Sequence, residues 1–244
     1  MVNDLSKINQ KLKEILGHGR GYFGRVFIGQ QRPSEYEYIG CESTDDFLLM
    51  LKNMSEEQIK NLVKIMNYFE IHAYPLKKLL DSKQDAYSYR FYCEKAWSHF
   101  MTVIMFGMLE IAARTPQNVD KNGNLKYKGK NIKKFLEKYL PQETKESITN
   151  RYYVESIFNY KKPTDFNEIV DHLWFNIRCG FIHDASIESK GIQWEILEGI
   201  GTKEEPITSK SDVPMQEWLR VTWQAILDFY GYKGTLSRGS VNNS

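Results

Sequence analysis

The sequence predicts a mainly α fold, a helical bundle with small β or irregular insertions, on three observations. Apolar residues recur every three or four positions in one segment after another. The segments start and stop on capping side chains, glycines and prolines. Alternation of apolar and polar residues, the mark of a strand, is confined to short pieces.

Taken in order, residues 2–16 form the first amphipathic helix, with Leu5, Ile8, Leu12 and Ile15 on one side. Gly17 to Gly21 ends it. Residues 22–42 read as irregular or weakly β around Pro33. The stretch Thr44-Asp45-Asp46 caps a short helix carrying Phe47, Leu48, Met50 and Leu51. Ser55-Glu56-Glu57-Gln58 is a capping box for the next helix, whose apolar side is Ile59, Leu62, Val63, Ile65 and Met66. Pro75 is expected to kink or break it before Leu76–Leu80. A long helix from Tyr87 to Arg114 follows, ended by Pro116 and the polar loop 117–130. Two shorter helices, 131–140 and 144–158, flank Pro141. Pro163-Thr164-Asp165 opens a helix running to Asp184. Ile192–Leu197 alternates weakly inside an excursion over 186–212. Pro214 opens the last helix, to Tyr230, and the tail from 232 reads as disordered.

Composition narrows the function classes. A chain of 244 residues can bury a sizeable core. Net charge is only +2, so nucleic acid would have to meet a local patch rather than a global basic field. Lys126, Lys128, Lys130, Lys133 and Lys134 form the densest basic run, which as a bare pattern reads as a solvated loop. Cys41, Cys93 and Cys179 are odd in number and widely spaced, which points to a reducing, cytoplasmic setting. The polar N-terminus shows no signal peptide. The longest apolar stretch, 96–113, contains Ser98, His99, Thr102 and Glu110, so it reads as a buried hub helix and no membrane partner is expected. Gly19 to Val26 matches a kinase glycine-rich loop. The lysine strand, catalytic loop and metal-binding loop that must follow it are missing, so it reads as a turn.

The chemistry concentrates in the stretch from Leu173 to Asp184. Arg178 and His183 sit five residues apart in an otherwise apolar helix, where each is costly without a partner or a task. Arginine grips phosphate with a planar fork, and histidine moves protons near neutral pH. At about 100° per residue, Phe166, Ile169, Val170, Leu173, Trp174, Ile177 and Phe181 share a core face. Asp171 and Arg178 fall on one flank. His172, Asn176, Cys179 and His183 fall on the other. Phe175 and Ile182 lie opposite the core, between the two flanks. Such an apolar strip facing away from the core calls for a partner surface, and a second copy of the same helix across a two-fold axis is the simplest. Arg178 and His183 are about 140° and about 7.5 Å of rise apart, so a pair of copies would gather both kinds of group in one cleft. Two other readings stand beside this one. Arg178 can be structural, paired with Asp171 or with Glu110. A metal could use His172, Cys179 and His183, but no second ligand cluster completes a set; no metal and no cofactor is expected.

The segment from Arg178 to His183 resembles the Arg-x4-His signature of the HEPN superfamily, the higher eukaryote and prokaryote nucleotide-binding helical domains. Phe106-Gly-Met-Leu-Glu110 is similar to a Leu-Glu segment on an earlier long helix of its abortive-infection-like branch. Asn150 to Phe158, with Arg151, is similar to an arginine-bearing helix placed before the motif helix. The resemblance covers 85–231 and leaves 1–84 unassigned. It implies a HEPN-type helical bundle that forms a homodimer. Its activity would be that of a metal-independent endoribonuclease, a toxin or phage-defence effector, with Arg178 and His183 catalytic at the dimer cleft. Supporting positions would be Asn176, Cys179, Asp171, Glu110 and Arg151. Partners would be RNA or a nucleotide and an antitoxin or other regulator. Other members bind nucleotides or proteins without catalysis. Family nucleases usually carry a polar residue, often Asn, directly after the Arg, where this chain has Cys179.

Overall fold

The computed structural model describes residues 6–7, 10, 40–81, 87–151, 164–179 and 215–237. The mainly α character expected from the sequence holds throughout them. The predicted helix over 2–16 is represented only by helical residues at 6–7 and 10. The Gly19–Val26 turn and the weak strand at 192–197 lie outside the described residues.

Strand β1 is Gly40–Cys41, followed by helix α1, Thr44–Asn53. The cap falls one residue earlier than the sequence suggested. Ser43 is extended, and its Oγ accepts from the Asp46 backbone N–H, while Asp45 and Asp46 complement the positive end of the helix. Helix α2 is Glu56–Asp81. Its capping box is reciprocal: the Gln58 N–H donates to Ser55 Oγ at 3.2 Å, and the Ser55 N–H donates to Gln58 Oε1 at 2.7 Å. Contrary to expectation, α2 runs through Pro75 without a break. The stripe Ile59, Leu62, Val63, Ile65, Met66 and Phe69 is buried. That packing supports the helix across the one backbone bond that proline cannot make.

Helix α3, Tyr87–Ala112, packs against α2. Met101, Thr102, Ile104, Met105, Phe106, Met108, Leu109 and Ala112 are all buried, so the part of this helix from Met101 on is covered on nearly every side, as a hub must be. A loop then folds on Asp120, whose Oδ1 accepts from the N–H groups of Asn122 and Asn124, and a bridge between Val119 and Leu125 closes it. Helix α4, Lys128–Tyr139, begins inside the stretch read as loop, and α5 is Gln142–Arg151. Ile132, Phe135, Leu136 and Ile148 turn inward.

Helix α6, Phe166–His172, is capped by Asp165, which accepts from the Glu168 N–H at 2.8 Å. The chain continues from Leu173 to Cys179 with π-helical winding. That departs from the uniform 100° step and rotates the later residues relative to the earlier ones. Helix α7, Met215–Phe229, packs on α3 and α4.

After α7 the chain does not fray. Tyr232 is buried, its hydroxyl donates to the Thr235 carbonyl at 2.9 Å, and Leu236–Ser237 forms β2, antiparallel to β1. The tail expected from 232 is therefore ordered through 237, because Tyr232 and Leu236 have core to bury against. One hydrophobic cluster runs from Cys41 through α1, α2, α3, α4, α6 and α7 to Leu236. Residues from Cys41 to Phe69, within the unassigned N-terminal stretch, share that core with buried residues between Met101 and Leu236. Among the described residues, no helix is long and apolar enough to cross a membrane.

Candidate functional site

Glu110 lies in the last full turn of α3 and is only 7% exposed. A buried carboxylate needs cations, and two reach it. Arg178, from the π segment, donates from Nη2 to Oε1 at 2.8 Å. Lys128, the first residue of α4, meets Oε2 at 2.8 Å. The arginine side chain is 15% exposed and the lysine 44%, so the first arm is sheltered and the second faces solvent. Two cations against one carboxylate leave a positive charge in excess.

Aromatic rings frame the pair. The Arg178 guanidinium lies over the Trp174 ring, 4.5 Å from its centroid, a cation–π contact at helical i, i+4 spacing. Trp174 meets Phe106 edge-on at 5.1 Å. Its Nε1 also comes so close to α4 that a Cβ on Gly129 would lie 2.8 Å away. On the α2 side, the Tyr68 hydroxyl rests on Gly107, where a Cβ would lie 2.3 Å from the oxygen. The His72 ring packs on Tyr68 at 4.5 Å. Burial first, then the Glu110 charge, push the Tyr68 phenol above its ordinary value, and Arg178 pulls it partly back. The hydroxyl therefore stays protonated at neutral pH, within electrostatic reach of both charges.

The site gathers some of the residues expected from sequence and not others. Glu110 and Arg178, 68 positions apart, are in direct contact. Asp171, placed on the Arg178 flank by the helical wheel, instead pairs with Lys133 on α4. The π winding explains this. Each π residue turns through less than an α residue, so Arg178 swings away from Asp171 towards α3. Cys179 is partly buried, with its sulfur 3.9 Å from Arg178 Nη1. Phe175 and Asn176 fall in the π segment and Arg151 ends α5, but the side chains of all three are outside the described residues, as are His183 and Ile182 entirely. Among the described residues, no three His, Cys, Asp or Glu side chains gather as a metal site.

Sequence reasoning missed Tyr68, Lys128 and the two glycines. Lys128 lay in a basic run read as solvated loop. Gly107 gave a signal, since a glycine inside a buried helix costs roughly 1 kcal/mol and asks for a reason. No family model matches the chain, and no curated protein or solved structure is significantly similar to it.

Proposed function

We propose that this chain is a metal-independent endoribonuclease of HEPN type that acts at a cleft between two copies, as a toxin or phage-defence effector held in check by a partner. The observation that supports the reading is the Glu110–Arg178 contact at 2.8 Å. It joins two of the three segments on which the family resemblance rests. In this reading Glu110 and Trp174 fix the guanidinium so that its remaining N–H groups meet a phosphate without reorganisation. His183 takes the proton of a ribose 2′-hydroxyl, whose oxygen attacks the adjacent phosphorus. The 5′-oxygen leaves with a proton returned by a histidine imidazolium of the cleft, giving a 2′,3′-cyclic phosphate and a free 5′-hydroxyl. The need for a 2′-hydroxyl restricts the substrate to RNA.

The test is cleavage of mixed RNA in EDTA. His183→Ala should slow it by about 10²–10⁴-fold, and Arg178→Ala by a comparable factor. Phe175→Glu with Ile182→Glu should abolish both cleavage and dimerisation, the latter read by light scattering. Cys179→Asn should raise activity by restoring the polar neighbour that family nucleases carry. Wild type that is monomeric, or inert towards RNA in EDTA, sinks the reading. The burial of Arg178 against a carboxylate favours a second reading, a non-catalytic nucleotide-binding or interaction module. In that case Arg178→Ala unfolds the chain or abolishes nucleotide binding, with no cleavage to lose.

A further inference from the structure

We propose that Tyr68 and Lys128 complete, with Arg178, a preformed site for one phosphate group of a nucleotide or RNA backbone, with Glu110 as its scaffold. The proposal rests on reading Arg178 as an anion ligand and adds the donors that accompany it.

Charge is the first argument. Glu110 is bidentate to two cations, Arg178 through one oxygen and Lys128 through the other. The carboxylate thus holds both at fixed positions and neutralises only one. A guanidinium carries five N–H donors. Here Nη2 serves Glu110, while Nη1 has the Cys179 sulfur at 3.9 Å, a weak acceptor. Lys128, at 44% exposure, opens the cluster to solvent.

Shape is the second. Gly107 and Glu110 are three residues apart on α3 and so lie on one side of it. The phenol of Tyr68 occupies the space where a side chain at 107 would be, which sets its hydroxyl on the face of α3 that carries Glu110, within electrostatic reach of Glu110 and Arg178. On the other side Gly129 admits Trp174, which carries the guanidinium. Two glycines on two helices therefore make room for two aromatic walls around a single charge cluster. The His72 ring, edge-on at 4.5 Å, braces Tyr68 from the exposed side of α2.

Chemistry is the third. A phosphate oxygen needs donors, and a phenol held protonated next to a carboxylate is a donor. The placement of Tyr68 suits it to a non-bridging oxygen while Arg178 and Lys128 supply charge.

Calorimetric titration with inorganic phosphate and with a 2′,3′-cyclic nucleotide tests this on wild type, Tyr68→Phe, Lys128→Ala, Gly107→Ala and Arg178→Ala, alongside RNA cleavage. Tyr68→Phe keeps the ring and should weaken phosphate binding about ten- to a hundredfold, the worth of one hydrogen bond to a charged group. Gly107→Ala should reproduce that loss by displacing the hydroxyl, and circular dichroism should show both variants folded. Tighter binding of the cyclic nucleotide than of phosphate would identify a nucleotide or RNA as the source of the group; equal binding would identify free phosphate. Unchanged phosphate binding in Tyr68→Phe, with loss in Arg178→Ala, overturns the role of Tyr68 and leaves the nuclease reading intact. Weakened binding in a chain that cleaves no RNA supports the site and sinks the nuclease. A wild type that binds neither ligand overturns the proposal.

Discussion

Glu110 is the residue on which the site turns. Its carboxylate has left water almost completely, so its stability depends on Arg178 and Lys128 remaining in place. Removing one member of a buried pair strands the other and is far costlier than replacing both by apolar groups. Glu110→Ala should therefore destabilise the fold by roughly 3 kcal/mol, most of it from the sheltered Arg178 arm and little from the exposed Lys128 arm. Glu110→Leu combined with Arg178→Met should recover much of that loss while removing any anion binding. Urea denaturation of Glu110→Leu, Arg178→Met and the double variant gives the coupling directly. Additive losses would mean that the 2.8 Å contact contributes nothing of its own.

At the scale of elements, α2 and the α6 helix with its π continuation show where pattern and packing part company. A proline at the twentieth position of the 26-residue α2 removes the bond to the Ile71 carbonyl. Pro75→Ala should therefore stabilise the fold by about 1–3 kcal/mol, part of the gain being offset by the freer unfolded chain. A lower denaturation midpoint would mean that the proline's shape is needed where it stands. Sequence punctuation located the helices well where caps are chemically explicit, as at Ser55–Gln58 and Asp165. It did not foresee an unbroken helix through Pro75, because local propensity carries no knowledge of the α3 surface against which α2 packs. It placed Arg178 beside Asp171 because a helical wheel assumes one winding, and the π segment has no signature in residue types. Glu110 and Arg178 were legible because charges stand out in apolar helices. Tyr68 was not, being one of 15 tyrosines in the chain.

For the molecule as a whole, the antiparallel pairing of Gly40–Cys41 with Leu236–Ser237 closes one core from both directions along the chain. Cys41 is buried there against Tyr232, whose oxygen also accepts from the Ser43 N–H. Burial pushes the Cys41 thiol up from 9.0 to about 12, the Tyr232 hydrogen bond opposing it. Burial raises the Tyr232 phenol too, helped by the neighbouring thiol. The sign follows from proton counting. Between pH 9 and 12 the unfolded thiol has lost its proton and the folded one keeps it, so the folded state binds more protons and stability falls as pH rises. Below pH 9 the thiol is protonated in both states and contributes no slope. The loss approaches about 1.4 kcal/mol per pH unit for one group inside the window. Cys41→Ala should flatten the decline in unfolding free energy between pH 9 and 11 while leaving the part owed to Tyr232. Denaturation series at several pH values compare the slopes and are insensitive to the constant cost of the smaller side chain. Equal slopes in wild type and Cys41→Ala would show that the thiol ionises without opening the strand pair, and that the closure of the core does not depend on keeping Cys41 neutral.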